Sequence, residues 1–149
     1  MDREHLVAWA AGFFDGEGSV GLFRARMGGR VMTLRIRASQ KTRESLERFV
    51  MLWGGSIWRR KADARGGEYF TWAKSSRPAF EVLEEMEPYL IVKRPHVQLA
   101  REFMSGVGIR GGTRGLGKGN GALPLEETYR RETLQEAMHI LNQRGPPDA

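Results

Sequence analysis

Two carboxylates, Asp15 and Glu17, follow an apolar stretch that runs from His5 to Phe14 with helical spacing. Gly16 and Gly18 alternate with them and favour the end of a helix. A helix leaves partial negative charge at its C-terminus, so each carboxylate placed there destabilises the helix by roughly 0.3–1 kcal/mol. A bound divalent cation is the simplest compensation. These residues therefore predict a cation site made of hard oxygen ligands at a helix end.

Positive charge is concentrated in the middle of the chain. Residues 18–77 hold fourteen basic and four acidic side chains, a net +10, whereas the whole chain carries +6. Within this region the segment Val31–Gln40 alternates as a strand does, with apolar residues on one face and, on the other, Thr33, Arg35, Arg37 and Ser39. Arginine can bond two acceptors on guanine in the major groove. The pattern favours a nucleic-acid surface over a merely solubilising one.

Further candidate contacts to nucleic acid lie on the neighbouring predicted strands and turn: Arg24, Arg26, Arg30, Arg59, Lys61 and Thr71. On the first strand Arg24 and Arg26 share a face with the apolar Val20 and Leu22, which predicts either a bulge or a strand that runs past the edge of the core. The outward face of strand 69–75 stays open, and Trp58 and Trp72 are expected in the core.

The hydrophobic patterns and turn residues predict one order of elements, α-ββ-α-ββ-α-α-α, and so an α+β fold with an antiparallel sheet. The predicted segments are helix 5–14, strands 19–26 and 31–40, helix 42–53, strands 56–61 and 68–75, a helix from Pro78 that ends before Pro88, and helices 95–104 and 125–142. Residues 106–121, with eight glycines and no acid, are expected to form a flexible basic loop, and residues 145–149 a frayed tail.

Composition excludes several classes of protein. The chain has 149 residues, 40% of them hydrophobic, which suits one domain over 1–149. The absence of cysteine excludes a disulfide scaffold, a thiolate zinc site and cysteine catalysis. The apolar stretch from Leu6 to Phe14 is too short to span a bilayer and lacks the pattern of a signal peptide. We expect a cytoplasmic protein, or an organellar one if the gene is organelle-encoded.

The segment Trp9–Ser19, with the sequence WAAGFFDGEGS, resembles the signature of the LAGLIDADG homing endonucleases. The order of elements, Gln40-Lys41 at the end of the second strand, and the basic segment Glu87–Pro95 agree with that family. The resemblance covers nearly the whole chain. It implies an αββαββα core whose four-stranded antiparallel sheet forms a DNA-binding saddle, followed by extra C-terminal helices.

The resemblance also implies a function: a double-strand break in a long, roughly palindromic DNA site by Mg²⁺-dependent phosphodiester hydrolysis. Only one signature is present, and such chains act as homodimers in which the signature helices pack together, here through Ala8, Ala11 and Gly12. Asp15 would cap the partner's helix or position the site.

Catalytic residues carry over by their position in the family motifs. Glu17, with the backbone carbonyl of Gly16, would bind the metal, although the family often has Asp at this position. Gln40 would orient the water network, and Lys93 would lie near the scissile phosphate and stabilise developing charge. A basic residue is common in the family shortly after Gln40; Arg43 and Glu44 flank that position, and the choice between them stays open.

Two other functions compete with cleavage. One is an RNA-binding maturase whose partner is intron RNA, and the other is a sequence-specific DNA-binding protein without nuclease activity. The acid at Glu17 and the lysine at Lys93 favour the enzyme over both. A chain of this length suits an intron-encoded protein better than one carried by an intein.

Overall fold

Helices and strands follow one another in the order αββαββα, and two more helices come after them. The computed structural model describes residues 1–24, 31–61, 66–107 and 123–143. The elements are α1 Arg3–Glu17, β1 Gly18–Arg24, β2 Met32–Gln40, α2 Glu44–Trp53, β3 Ile57–Lys61, β4 Glu68–Ser75, α3 Ser76–Met86, a 3-10 turn Glu87–Tyr89, α4 Arg94–Met104 and α5 Leu125–Gln143. This order confirms the predicted α+β fold.

The first helix is longer than its sequence pattern predicted. Asp2 is its N-cap and its side chain accepts a hydrogen bond from the backbone N–H of His5 at 2.9 Å. At the other end the helix continues through Glu17, and Gly18 already belongs to β1. Asp15 and Glu17 therefore lie in the last helical turn rather than beyond it.

The four strands form one antiparallel sheet in the order β1-β2-β4-β3. The apolar side chains of β2 face the core, as predicted: Met32, Leu34, Ile36 and Ala38 are all buried. Strand β1 pairs with β2 in unbroken register from Gly18–Ala38 to Arg24–Met32. Of the two predicted alternatives for this strand, the described part supports a strand that runs past the edge of the core.

The core lies between the inner face of the sheet and the helices packed on it. Phe49 on α2 contacts Trp72 on β4 with ring centroids 5.0 Å apart, and Trp72 is fully buried as expected. Its Nε1 donates to the carbonyl of Gly54 at 2.9 Å. Gly54 has φ of +76°, a backbone conformation that residues with a side chain rarely adopt, and this glycine ends α2.

Helix α5 covers the free edge of β1. The side chain of Asn142 donates to the carbonyl of Val20 at 2.9 Å, and that of Gln135 donates to the carbonyl of Leu22 at 2.9 Å. These bonds take the place of a fifth strand and protect an edge that would otherwise invite pairing with another chain.

No helix in the described ranges is long and apolar enough to cross a membrane. Of the predicted basic loop 106–121, only residues 106 and 107 are described, and the predicted tail 145–149 lies outside the described residues.

Candidate functional site

The carboxylate of Asp15 binds the backbone of a distant segment of the same chain. It accepts hydrogen bonds from the N–H groups of Ile91, Val92 and Lys93 at 2.7, 3.1 and 3.0 Å. These groups lead into α4, so Asp15 receives donors at a helix N-terminus that balance its position at the end of α1. Of the two predicted roles, these contacts favour positioning of the site over capping of a partner's helix.

Lys93 lies against the same helix end. Its Nζ donates to the backbone carbonyl of Asp15 at 3.0 Å, a carbonyl in the last turn of α1 that has no donor further along the helix. Burial lowers the pKa of Lys93, and the nearby charge of Asp15 opposes that shift. Lys93 is thus held in place and releases its proton more easily than an exposed lysine.

Glu17 and Gln40 form the second contact of this site. Gln40 Nε2 donates to Glu17 Oε1 at 3.3 Å, while Gln40 Oε1 accepts from the backbone N–H of Lys41 at 2.8 Å. The second bond orients the amide so that its NH₂ group faces the carboxylate. Glu17 itself is exposed, and among the described residues its carboxylate accepts no other hydrogen bond.

The residues after Gln40 differ in their contacts. The Arg43 guanidinium lies 5.6 Å from the ring centre of Phe70, the residue that pairs with Gln40 across β2 and β4, and it is 3.5 Å from Glu47. Glu44 is exposed at the start of α2. These contacts place the Arg43 side chain beside the end of β2, and the choice between Arg43 and Glu44 stays open.

A divalent cation fits this end of α1 only in part. The Glu17 carboxylate and the Gly16 carbonyl are hard oxygen donors of the kind that Mg²⁺ prefers. Across the described ranges, however, no group of three His, Cys, Asp or Glu residues could hold a metal ion. A cation bound to these two oxygens would therefore need further oxygen ligands from outside the chain.

The outer face of the sheet carries the basic surface. A groove of about 560 Å³ runs over β2, β4 and β3. Its lining includes Arg35 and Arg37 of β2, and Thr71 is buried in its floor with its hydroxyl 2.9 Å from that of Ser39. The register puts Tyr69, Thr71, Ala73 and Ser75 on this outer face and so settles the direction left open for β4.

The predicted DNA contacts on β1 and β3 are placed differently from those on β2. Arg24 pairs with Met32 on the core side of the sheet, and its guanidinium is 3.3 Å from Glu132 of α5. Arg59 and Lys61 also alternate onto the inner side of β3, although β3 is an edge strand and both still border the groove. Arg26 and Arg30 lie outside the described residues.

The register assigns to the outer face two residues of β3 that the sequence did not predict as contacts to nucleic acid. Trp58 pairs with Thr71 and Arg60 pairs with Tyr69, and both line the groove. Trp58 is 47% exposed, so the prediction that it lies in the core is wrong. A strand in which both faces touch solvent gives no alternating pattern to read.

The exposed side of α1 carries small residues. A Cβ added at Gly12 or at Gly16 would meet no atom within 4 Å, and Ala8, one turn before Gly12, is half-buried. Ala11 is fully buried in the protomer core, so its predicted place in a dimer interface is wrong. The open face of the helix consists of Ala8, Gly12 and Gly16.

Taken together, these elements define a class of protein: a single α+β unit whose sheet presents a basic groove, with an acid, an amide and a lysine gathered at the end of the helix before it. The comparisons name the fold. The homing endonuclease I-CvuI, in complex with its target, matches with a TM-score of 0.72 at 16% identity, covering 96% of this chain and 85% of that one. The archaeal intron-encoded homing endonuclease I-Vdi141I, complexed with DNA, matches with a TM-score of 0.69 at 20% identity, covering 97% and 89%.

The chain therefore has the LAGLIDADG homing endonuclease fold, which confirms the resemblance predicted from residues 9–19 at the level of structure. A third solved structure, the LAGLIDADG homing endonuclease I-GzeII in complex with its DNA target, matches with a TM-score of 0.59 at 19% identity, over 86% of this chain but 42% of that one. No family model matches the sequence, and no curated protein matches it.

Proposed function

We propose that this protein is a site-specific, Mg²⁺-dependent DNA endonuclease that acts as a homodimer and is encoded by an intron. The observation that carries the proposal is the gathering of Glu17, Gln40 and Lys93 at one end of α1. Residues that the family resemblance selected from three distant parts of the chain come within hydrogen-bonding distance of that single helix turn.

The division of roles follows from the contacts. Glu17 is exposed and would bind the metal together with the Gly16 carbonyl. When bound, Mg²⁺ would supply positive charge to a phosphodiester under attack by water. Gln40 would hold the Glu17 carboxylate through its oriented amide. Lys93, whose pKa is lowered by burial, would stabilise charge on the phosphate and exchange a proton with the water network.

The substrate is proposed from the shape and charge of the sheet. Arg35, Arg37 and Arg60 present guanidinium groups along one outer face, where each can bond base edges or phosphates. The matched structure of I-Vdi141I is a complex with DNA, and that of I-CvuI is a complex with its target. Both arguments favour duplex DNA over the alternative partner, intron RNA, whose deep and narrow major groove does not admit side chains.

The homodimer is proposed from α1 and from chain length. One protomer offers a single metal-binding carboxylate at its end of α1, and the small face of α1 leaves room for a second helix to approach closely. The same unit aligns with most of the I-CvuI and I-Vdi141I chains but with less than half of the I-GzeII chain. Two copies would present two grooves to a DNA site with twofold symmetry.

Cleavage is tested with the Glu17→Gln variant. A binding site is first selected from a library of randomised DNA duplexes and cloned into a plasmid. The wild-type protein should linearise this plasmid with Mg²⁺ and not with EDTA, whereas Glu17→Gln should bind the site and leave the plasmid intact. Glu81→Gln, an exposed acid on α3, is the matched control and should cut normally. Cutting by Glu17→Gln, or by wild type in EDTA, would overturn the metal role.

The dimer is tested with Gly12→Leu. A side chain at this position meets open space in the protomer, so the variant should fold and sediment as a monomer. Gly67→Leu makes the same change in equally open space before β4 and should sediment like the wild type. If Gly12→Leu sediments as a dimer, α1 does not form the dimer interface. Filter binding of intron RNA that exceeds binding of the selected duplex would favour the maturase instead.

A further inference from the structure

An aromatic ring and an arginine form a fixed pair on the outer face of β1 and β2. Gly21 lies directly opposite Arg35 in the register, and Phe23 is two residues further along the same face. A Cβ at Gly21 would come within 2.5 Å of the Phe23 ring. The outer edge of the ring therefore lies over the glycine, in the space that the Cβ of any other residue would occupy.

Arg35 lies beside the same ring. Its guanidinium carbon is 5.5 Å from the centre of the Phe23 ring, within the range of a cation–π contact. No carboxylate in the described ranges forms a salt bridge with Arg35, so its donors remain available to a ligand. Phe23 is 44% exposed and presents apolar surface beside these donors.

A phenyl ring at this position can recognise only one feature of the major groove. It has no donor or acceptor for the polar base edges, and the apolar group that the groove offers is the C5-methyl of thymine. Stacking on a base would require that base to leave the duplex, which costs a few kcal/mol. A phosphate contact would use Arg35 and leave the ring in water.

We infer that Phe23, seated on Gly21 beside Arg35, reads the methyl group of one thymine in each half of the DNA site. This inference rests on the proposed function and names a chemical feature of its substrate. It also gives a reason for choosing DNA over RNA, because uracil lacks this methyl group. Burial of one methyl group corresponds to about a fourfold change in affinity per half-site and about fifteenfold for two.

The test uses the selected duplex with deoxyuridine in place of thymine at one symmetric pair of positions at a time. Wild type should show one pair at which affinity, measured by fluorescence anisotropy, falls about fifteenfold. Phe23→Ala should bind thymine and uracil equally at that pair. Gly21→Ala should remain folded, since only the movable end of the Phe23 ring stands in its way, and should lose most of the difference. Met51→Ala removes a 69% exposed side chain from α2 and should keep it.

The outcomes separate the inference from the proposal beneath it. If the duplex binds but its affinity depends on no methyl group, or if the dependence persists in Phe23→Ala, the inference about Phe23 is overturned and the proposed function is not. Failure to bind any duplex overturns the proposed function and this inference with it.

Discussion

The contact between Asp15 and the segment before α4 can be tested by the Asp15→Asn substitution. One carboxylate oxygen accepts from Val92 and Lys93, and the other accepts from Ile91. Asparagine keeps one oxygen but replaces the other with an NH₂ group. That group would face a backbone N–H, so two donors would oppose each other where a bond existed.

The size of the effect follows from these bonds. A hydrogen bond to a charged group contributes about 1.5–3 kcal/mol, and a neutral one about 0.5–1.5 kcal/mol. With asparagine, one hydrogen bond to the charged carboxylate is lost and the other two become weaker, neutral bonds. Because Ile91 and Val92 are exposed, the contribution of each bond lies near the lower limit of its range. Removing a negative charge from the C-terminal end of α1 stabilises the helix by about 0.3–1 kcal/mol. Together these terms predict that the free energy of unfolding falls by about 1–3 kcal/mol.

Urea denaturation at one fixed protein concentration measures this change, because the stability of a dimer depends on concentration. Glu17→Gln is the matched control: the Glu17 carboxylate accepts one bond, of 3.3 Å, and the residue is exposed. Its unfolding free energy should stay within about 0.5 kcal/mol of wild type. If Asp15→Asn is as stable as Glu17→Gln, the three backbone bonds do not hold the segment in place.

Three further substitutions test other contacts. Burial and the charge of Lys93 lower the pKa of His96, so the unfolded chain takes up a proton before the folded protein does, and stability should fall as the pH drops below about 6.5. In His96→Gln the urea midpoint should depend less on pH between pH 5 and 7.5. A pH dependence equal to that of the wild type would contradict this. Asn142→Ala should lower the unfolding free energy, measured in urea, by about 1–2 kcal/mol. If Gln143→Ala, the control, loses as much, the Asn142 side chain does not stabilise the edge of β1. Trp72→Phe loses a bond to Gly54 and leaves a cavity, so about 2–3 kcal/mol should be lost in the same assay; a loss below 1 kcal/mol would contradict this.

The sequence predicted β2 well and β3 badly, for one physical reason. In β2 one face is buried and the other is not, so Leu34 and Arg35 differ in kind and the alternation is visible. In β3 four of five residues are exposed, and the sequence Trp58-Arg59-Arg60 contains no contrast from which the inner face could be chosen. The pairing with β4 decides it, and that pairing is a property of the folded sheet.

Helix α1 shows a different kind of error. Its buried residues, Val7, Ala10, Ala11 and Phe14, follow the spacing of a core-facing stripe. The sequence contains this spacing, which assigns Ala11 to the buried stripe. Placing Ala11 with Ala8 and Gly12 because all three are small assigns it to the wrong face. The correct neighbours of Gly12 on the exposed face lie four residues away in each direction.

The sequence alone does not distinguish the two carboxylates at the end of α1 and predicts a cation beside both. The backbone donors to Asp15 come from residues 76 to 78 positions further along the chain, a separation that no local pattern could reveal. Because Asp15 is balanced within its own chain, it needs no metal. Glu17, which is exposed and hydrogen-bonded to one amide, is the acid to which the proposed function assigns the metal. Stability and cleavage should therefore depend on different carboxylates: Asp15→Asn should weaken the fold, and Glu17→Gln should abolish cutting in a protein that is as stable as the wild type.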